Sequence, residues 1–311
     1  MHIIFFATAA FAVPSLERLA AHPQSSILCV TQPDRPQGRG LRVQPSAVKS
    51  AALRLGLLVE EPRDLRAALP ALAQRAPDLG VVISYGRLIP PALLSWPRHG
   101  MLGVHPSLLP RYRGASPMAR AILAGESSTG VTIFRLNERL DAGDIACRRE
   151  AAINPQETTE TLSARLARLG AELLLETVGR LEQGTAAFSP QDDSLATDAP
   201  KFTKAEGRID WCAEAAFIHR LVRAAVPWPG AYTTWKERSL KVWATRYNTP
   251  TPSPNGRCGE VLAFSAEGIT VRAGDGVVVI EALQPAGARR MTVREFLAGH
   301  QLRVGDMLGS D

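Results

Sequence analysis

His105 is the first residue in this chain that could do chemistry. It closes the apolar run Met101-Leu102-Gly103-Val104 and opens Pro106-Ser107-Leu108-Leu109-Pro110-Arg111-Tyr112-Arg113-Gly114. The two prolines fix φ and remove backbone donors, so the segment after His105 is a rigid loop, neither helix nor central strand. An imidazole is the side chain whose charge changes nearest neutral pH, which suits proton transfer. Taken alone, His105 reads just as well as a loop histidine making one local hydrogen bond. A second chemical group follows in Glu138-Arg139-Leu140-Asp141-Ala142-Gly143-Asp144. Two carboxylates around a glycine fit an Asx turn, and they also fit a functional pair.

The elements that must position these groups are legible in the apolar pattern. Short apolar runs at His2–Phe6, Ser26–Thr31, Leu57–Glu60, Leu79–Ser84 and Met101–His105 read as buried strands. Amphipathic stretches at Val13–Ala21, Ala47–Leu55, Leu65–Ala76 and Ser116–Ala124 read as helices between them. This alternation predicts an α/β fold, a Rossmann-like parallel sheet with helices on both faces. In such sheets ligands bind outside the carboxyl ends of the strands, where His105 falls. The first strand runs into Ala7-Thr8-Ala9-Ala10, without a dinucleotide glycine fingerprint. Strand-like segments at Gly130–Asn137 and Ile145–Ile153 precede a helix from Thr158 or Thr159 to about Glu182.

The loop Gln32–Pro45 is long for a strand-to-helix connection and carries Arg35, Arg39 and Arg42 among three prolines and two glycines. It reads either as a mobile solvated loop or as a phosphate-contacting one. Ser189–Pro200 is polar, aperiodic and bounded by prolines, which predicts an interdomain linker. Beyond it lie one helix, Ala215–Ala225, and short strands near Ala231–Trp235, Leu240–Thr245, Gly259–Phe264, Gly268–Ala273 and Gly276–Leu283. They predict a small OB-like β-barrel of the kind that binds oligonucleotides. The expected division is 1–188 for the catalytic domain, 189–206 for a linker and 207–311 for the barrel.

Composition bounds the rest. The chain has 311 residues, 45% hydrophobic and 21% charged, as in ordinary globular proteins. It lacks both an apolar run long enough to span a membrane and the charged start of a signal peptide, so a cytoplasmic protein is expected. Cys29, Cys147, Cys212 and Cys258 are scattered, which argues against a zinc site or a disulfide framework. The net charge is +6. From Lys201 onward 15 Lys and Arg face 11 Asp and Glu, so +4 of it lies in the last third of the chain. That tilts towards a nucleic-acid partner.

The motifs then converge. His105–Gly114 resembles the H-x-S-L-L-P-x-x-R-G signature of folate-dependent formyltransferases, and Leu140–Asp144 resembles their L-D-x-G-D element. Gln32–Gly40, Lys204-Ala205-Glu206-Gly207-Arg208-Ile209-Asp210-Trp211, and Leu283–Gly287 with Arg289 and Arg290 are similar to the branch of that family acting on initiator tRNA. The resemblance covers essentially the whole chain. It implies 10-formyltetrahydrofolate as co-substrate, initiator methionyl-tRNA as partner, no metal and a monomer. It implies catalytic roles for His105 and Asp141. It places Ser84, Tyr85, Gly86, Ser107, Leu108, Leu109, Pro110 and Asp144 around the folate. Arg35, Arg39, Arg42, Lys204, Arg208, Arg289 and Arg290 would face tRNA. The family's usual turn after the first strand, near its active site, is here Ala7-Thr8-Ala9-Ala10.

The resemblance implies transfer of the formyl group to the α-amino group of methionine on the tRNA. Asp141 would orient the His105 imidazole and stabilise its protonated form. The family's third catalytic residue is an asparagine two positions before the histidine, and that position is Gly103 here. Losing such an oxyanion donor costs about 10²–10³ in rate. A water or backbone N–H in its place gives a slower enzyme, another side chain could reach in, and total loss leaves a tRNA-binding homologue. A sugar-nucleotide N-formyltransferase would share His105, Ser107–Pro110 and Asp141, but the arginine loop and basic tail favour tRNA.

Overall fold

The computed structural model describes residues 1–23, 25–37, 42–248 and 256–309. The chain divides into two compact units. The first gathers Met1–Pro117, Ser128–Ala152 and Ser163–Ala199, and the second gathers Met118–Ser127, Ile153–Leu162 and Pro200–Asp311.

In chain order the elements of the first part are β1 (His2–Ala7), α1 (Val13–Ala20), β2 (Ser26–Val30), β3 (Arg35–Gln37), β4 (Arg42–Gln44), α2 (Ala47–Arg54), β5 (Leu58–Glu60), α3 (Leu65–Ala73), β6 (Leu79–Ile83), α4 (Pro91–Leu94), β7 (Met101–His105), α5 (Pro117–Ala124), β8 (Ser128–Arg135), β9 (Ile145–Ala152) and α6 (Thr159–Glu182). Seven strands form one sheet in the order β5-β2-β1-β6-β7-β8-β9. The first five run parallel. Their central members are buried on both faces, as continuous apolar runs must be. α1 turns Leu16 and Leu19 into the core, while Ser46 and Asp64 accept backbone hydrogens that cap α2 and α3.

The sheet is not purely parallel. β8 runs antiparallel to both β7 and β9. The connection between β8 and β9 is residues 136–144, too short for the crossover a parallel pair needs. Chain order reverses between β1 and β6, so the crevice at their carboxyl ends is the ligand position of an open α/β sheet.

The polar stretch expected as a linker is bonded along the first unit. Ser189 exchanges backbone hydrogen bonds with Ile145, Arg113 N–H donates to Thr197 O, and Ser116 N–H donates to Ala199 O. Its polarity reflects pairing with loops rather than freedom.

The second unit contains α7 (Ala215–Ala224), β10 (Ala231–Trp235), β11 (Arg238–Asn248), β12 (Val261–Ser265), β13 (Gly268–Arg272), β14 (Val277–Pro285), β15 (Met291–Thr292) and α8 (Val293–Gly299). The sheet order is β10-β11-β14-β13-β12, with β15 on β14 and every pairing antiparallel. The C-terminal segment bonds Val261, the first residue of β12, and Gly259 before it, and then Thr234 in β10, joining the two edges. Edges joined in this way have few free backbone groups left. α8 starts with a capping box, Thr292 and Glu295 bonding each other's backbone N–H. Cys212 and Cys258 form a disulfide with Cα atoms 5.2 Å apart, which corrects the expectation of unpaired cysteines. Gly274 N–H donating to Ala213 O and Gly259 N–H donating to Arg272 O bring the two segments together. Cys29 and Cys147 are free; burial pushes the Cys29 thiol up to about 12, as in an inert core residue. Among the described residues no helix is long and apolar enough to cross a membrane.

Candidate active site

β7 carries His105 to the carboxyl edge of the sheet, one strand from the β1–β6 crevice. The register Val82↔Gly103 sets the Ser84–Gly86 turn level with His105. The imidazole is nearly buried, at 6% exposure. Its Nε2 lies 2.8 Å from Tyr112 O. A carbonyl only accepts, so Nε2 carries hydrogen and Nδ1 is the nitrogen left to change protonation. Nδ1 faces Asp141 Oδ2 at 3.6 Å, beyond a hydrogen bond but close for a charge pair. Thus Tyr112, rather than Asp141, orients the ring.

Asp141 is itself held. Its Oδ2 accepts the Gly114 N–H at 2.8 Å, and its backbone takes φ +49°, a left-handed conformation that non-glycine residues rarely hold without support. Gly143 two residues on is obligatory, because a Cβ there would run into Arg135 O. The loop between His105 and Gly114 is locked from inside. Thr132 Oγ1 donates to Ser107 O at 2.7 Å and accepts from Leu109 N–H at 3.1 Å. Ser107 Oγ donates to Arg111 O, and Arg148 Nη1 donates to Leu109 O.

The expected folate contacts sort into two groups. Ser84 and Gly86 are exposed at positive φ, so bare backbone faces outward. The Tyr85 ring is 2% exposed and packs edge-on against Phe6 in the core. Only its carbonyl faces the crevice, where Thr8 Oγ1 and Gln32 Nε2 donate to it at 3.0 and 2.6 Å. Gln32 was not singled out by sequence, although it opens the arginine loop; Thr8 survives in the altered turn after β1. Ser107 and Leu109 are fully buried and hold the loop; Pro110 is also buried, Leu108 is half-buried and Asp144 is exposed.

Gly103 has a specific neighbour. A Cβ on Gly103 would collide with the Phe134 ring and sit 2.9 Å from Leu136 Cδ1. The position is filled from β8, not open. Asn137, the asparagine nearest in sequence, is exposed and caps Arg139 N–H instead.

The arginine loop rises as the β3–β4 hairpin, with Arg35 pairing in register with Gln44. Arg42 begins β4, and Arg39 lies outside the described residues. Its stem is tied down by Lys49, whose ammonium bonds Asp34 at 2.8 Å and Glu61 at 2.7 Å; those bonds raise the Lys49 pKa above its ordinary value. In the second unit Lys204 and Arg208 flank the turn Ala205–Gly207, both exposed. Arg289 pairs with Glu295, while Arg290 lies over the Trp243 ring at 5.5 Å.

Residues 1–178 match the Formyl transferase family model, and residues 201–301 match the Formyl transferase, C-terminal domain model. The chain belongs to the formyl transferase family. It is 42% identical to the methionyl-tRNA formyltransferase of Geobacter metallireducens over 99% of both chains. It is 40% identical to that of Heliobacterium modesticaldum over 99% of this chain and 100% of the relative. Among solved structures the fold is similar to HypX from Aquifex aeolicus in complex with tetrahydrofolic acid (TM-score 0.64, 21% identity), covering 97% of this chain and 50% of that one. It is also similar to WlaRD, a sugar 3N-formyl transferase (TM-score 0.67, 15% identity), covering 93% and 99%. At these identities the structural matches speak for the fold.

Proposed function

We propose that this chain formylates the α-amino group of methionyl initiator tRNA, with His105 and Asp141 as its proton-handling pair. What carries the reading is that pair, at the carboxyl end of β7, in a chain matched end to end by methionyl-tRNA formyltransferases.

The crevice suits a folate. Ser84 and Gly86 offer exposed backbone while Tyr85 turns inward, the arrangement that reads the polar edge of a flat heteroaromatic ring. Gly86 lets this wall form: a Cβ there would press at 2.7 Å on Gln32 Nε2, which donates to the Tyr85 carbonyl. 10-Formyltetrahydrofolate supplies the formyl carbon that the amine attacks; the bond from that carbon to N10 then breaks, and tetrahydrofolate leaves with N10 taking up the proton that the amine gave to the pair. The chain's own residues manage the proton the amine gives up. Asp141, the more exposed member of the pair, is reached first; a proton settling on His105 Nδ1 leaves an imidazolium against the Asp141 carboxylate. The Tyr112 carbonyl keeps Nε2 protonated throughout, so the ring changes charge only on the Asp141 side. With Phe134 beside Gly103, the oxyanion donor must come from a backbone N–H or water rather than a side chain at 103.

Arg35 and Arg42, with Arg39 between them in sequence, and Lys204, Arg208, Arg289 and Arg290 of the second unit, contact tRNA phosphates in this reading. The test is formyl transfer from 10-formyltetrahydrofolate to methionylated initiator tRNA, with elongator tRNA and nucleotide-linked amino sugars as rival acceptors. Turnover on the amino sugar alone overturns the acceptor. Tight tRNA binding without turnover on any acceptor overturns the enzyme reading. Arg39→Ala should raise KM for tRNA far more than for folate; an equal rise in both removes Arg39 from the interface.

A further inference from the structure

We propose that Gln191 is a positioning residue for the Asp141 turn, and that Ser189–Ala199 is a brace of the catalytic site rather than a tether. The proposal rests on the His105–Asp141 reading above.

The Gln191 amide is used from both ends. Nε2 donates to Asp141 O at 2.9 Å and to Gly143 O at 2.7 Å. Oε1 accepts from Arg113 Nε at 3.1 Å and Arg113 Nη2 at 2.7 Å. These four bonds fix which end of the amide is which: two carbonyls need a donor and a guanidinium needs an acceptor. Arg113 belongs to the loop that starts at His105, and it is 9% exposed. One side chain therefore ties the His105 loop to the Asp141 turn. Asp193 repeats the link on the outside, pairing with Arg113 at 2.8 Å and Arg139 at 2.7 Å. The two arginines hold its carboxyl below the usual range.

The turn needs this support. Asp141 sits at φ +49°, where surrounding bonds must over-determine the backbone. Its carboxylate reaches Nδ1 only at 3.6 Å, so small rotations change the charge pairing. Bonds to the carbonyls of residues 141 and 143 pin both ends of the three-residue arc that aims that carboxylate.

Two isosteric variants separate positioning from folding. Gln191→Glu keeps the acceptor for Arg113 but sets carboxylate oxygen against two carbonyls; Gln191→Met loses both functions and keeps the volume. In formyl transfer with purified full-length protein, both should lower kcat by about 10²-fold, as misplacement of a catalytic group does. KM for folate and for tRNA should stay within about threefold, and Tm should stay near the parent's. Asp141→Asn and the double variant Gln191→Glu/Asp141→Asn complete the cycle. If Gln191 acts through Asp141, the double variant is no slower than Asp141→Asn alone. Parental kcat in Gln191→Glu and Gln191→Met beside a crippled Asp141→Asn overturns the brace. Losses that multiply in the double variant, or that follow the folded fraction, also overturn it. Parental kcat in Asp141→Asn overturns the site reading beneath it instead.

Discussion

Gly103 and Phe134 stand directly opposite one another across β7 and β8, and the Phe134 ring covers the glycine. The family's usual asparagine does not fit here unless its neighbours move. Gly103→Asn forces the ring or Leu136 to move, an overpacking that costs about 1–3 kcal/mol. Urea unfolding should show that loss, and Phe134→Ala should relieve most of it when combined with Gly103→Asn. The combined variant should then turn over faster than Phe134→Ala alone, by up to about 10²-fold if the amide supplies the oxyanion bond. A Gly103→Asn protein as stable as the parent would show that Phe134 does not occupy the site.

Asp141→Asn tests the charge of the pair while sparing its geometry. The amide oxygen can still accept from Gly114 N–H, so the turn should persist. Without the carboxylate, nothing stabilises an imidazolium formed at Nδ1. The expected loss in kcat is about 10²–10⁴-fold with KM values little changed. A large rise in KM with kcat intact would instead make Asp141 a binding residue.

How far the sequence reached depended on how local each feature is. The five parallel strands announce themselves because strands buried on both faces are continuous apolar runs, as Ile3–Phe6 and Val81–Ile83 are. His105 and Asp141 were legible as motifs, although their pairing required the loop and the turn to meet. Phe134 over Gly103 depends on the register of β8 against β7, which the 30 intervening positions do not disclose. Which way Tyr85 faces was not legible, because a residue beside Ser84 and Gly86 can turn either way; its ring is 2% exposed and goes inward. Gln191 hid in a polar aperiodic stretch, since order imposed by side-chain bonds to distant loops leaves no periodicity. The start of α8 is also legible in Thr292-Val293-Arg294-Glu295, a capping-box spacing, although no helix is expected there above.

The Cys212–Cys258 disulfide closes a loop with a sequence separation of 46. Cross-linking a loop of that length restricts the unfolded chain by about 2–4 kcal/mol. Oxidised protein should therefore unfold at higher urea than protein in excess dithiothreitol. Cys212→Ser should unfold at the lower midpoint with or without reductant. Cys29→Ser and Cys147→Ser should keep the difference, since neither thiol is paired. A parent protein indifferent to reductant would mean that the bond does not form in solution.

Acid should reveal the ion pair that fixes the Lys204–Arg208 turn. Arg120 bonds Glu206 and also donates to the Pro200 and Lys201 carbonyls, so one guanidinium gathers the segment before the turn. Glu206 also accepts from Thr203 N–H and Thr203 Oγ1. The Arg120 guanidinium, with those bonds, pushes the Glu206 carboxyl down to about 2 from 4.5. A depressed folded value means that the unfolded chain binds the proton first. The stabilisation is thus complete above about pH 4.5 and is lost as pH falls towards about 2. The Glu206 side chain is 36% exposed, so solvent screening holds the contribution to about 1 kcal/mol or less. Glu206→Gln should lose that stability at neutral pH and show a correspondingly shallower decline between pH 4.5 and 2. Urea titrations of both proteins across that window measure it. Parallel curves, offset equally at every pH, would show that the ionised Glu206 carboxylate contributes no stability of its own.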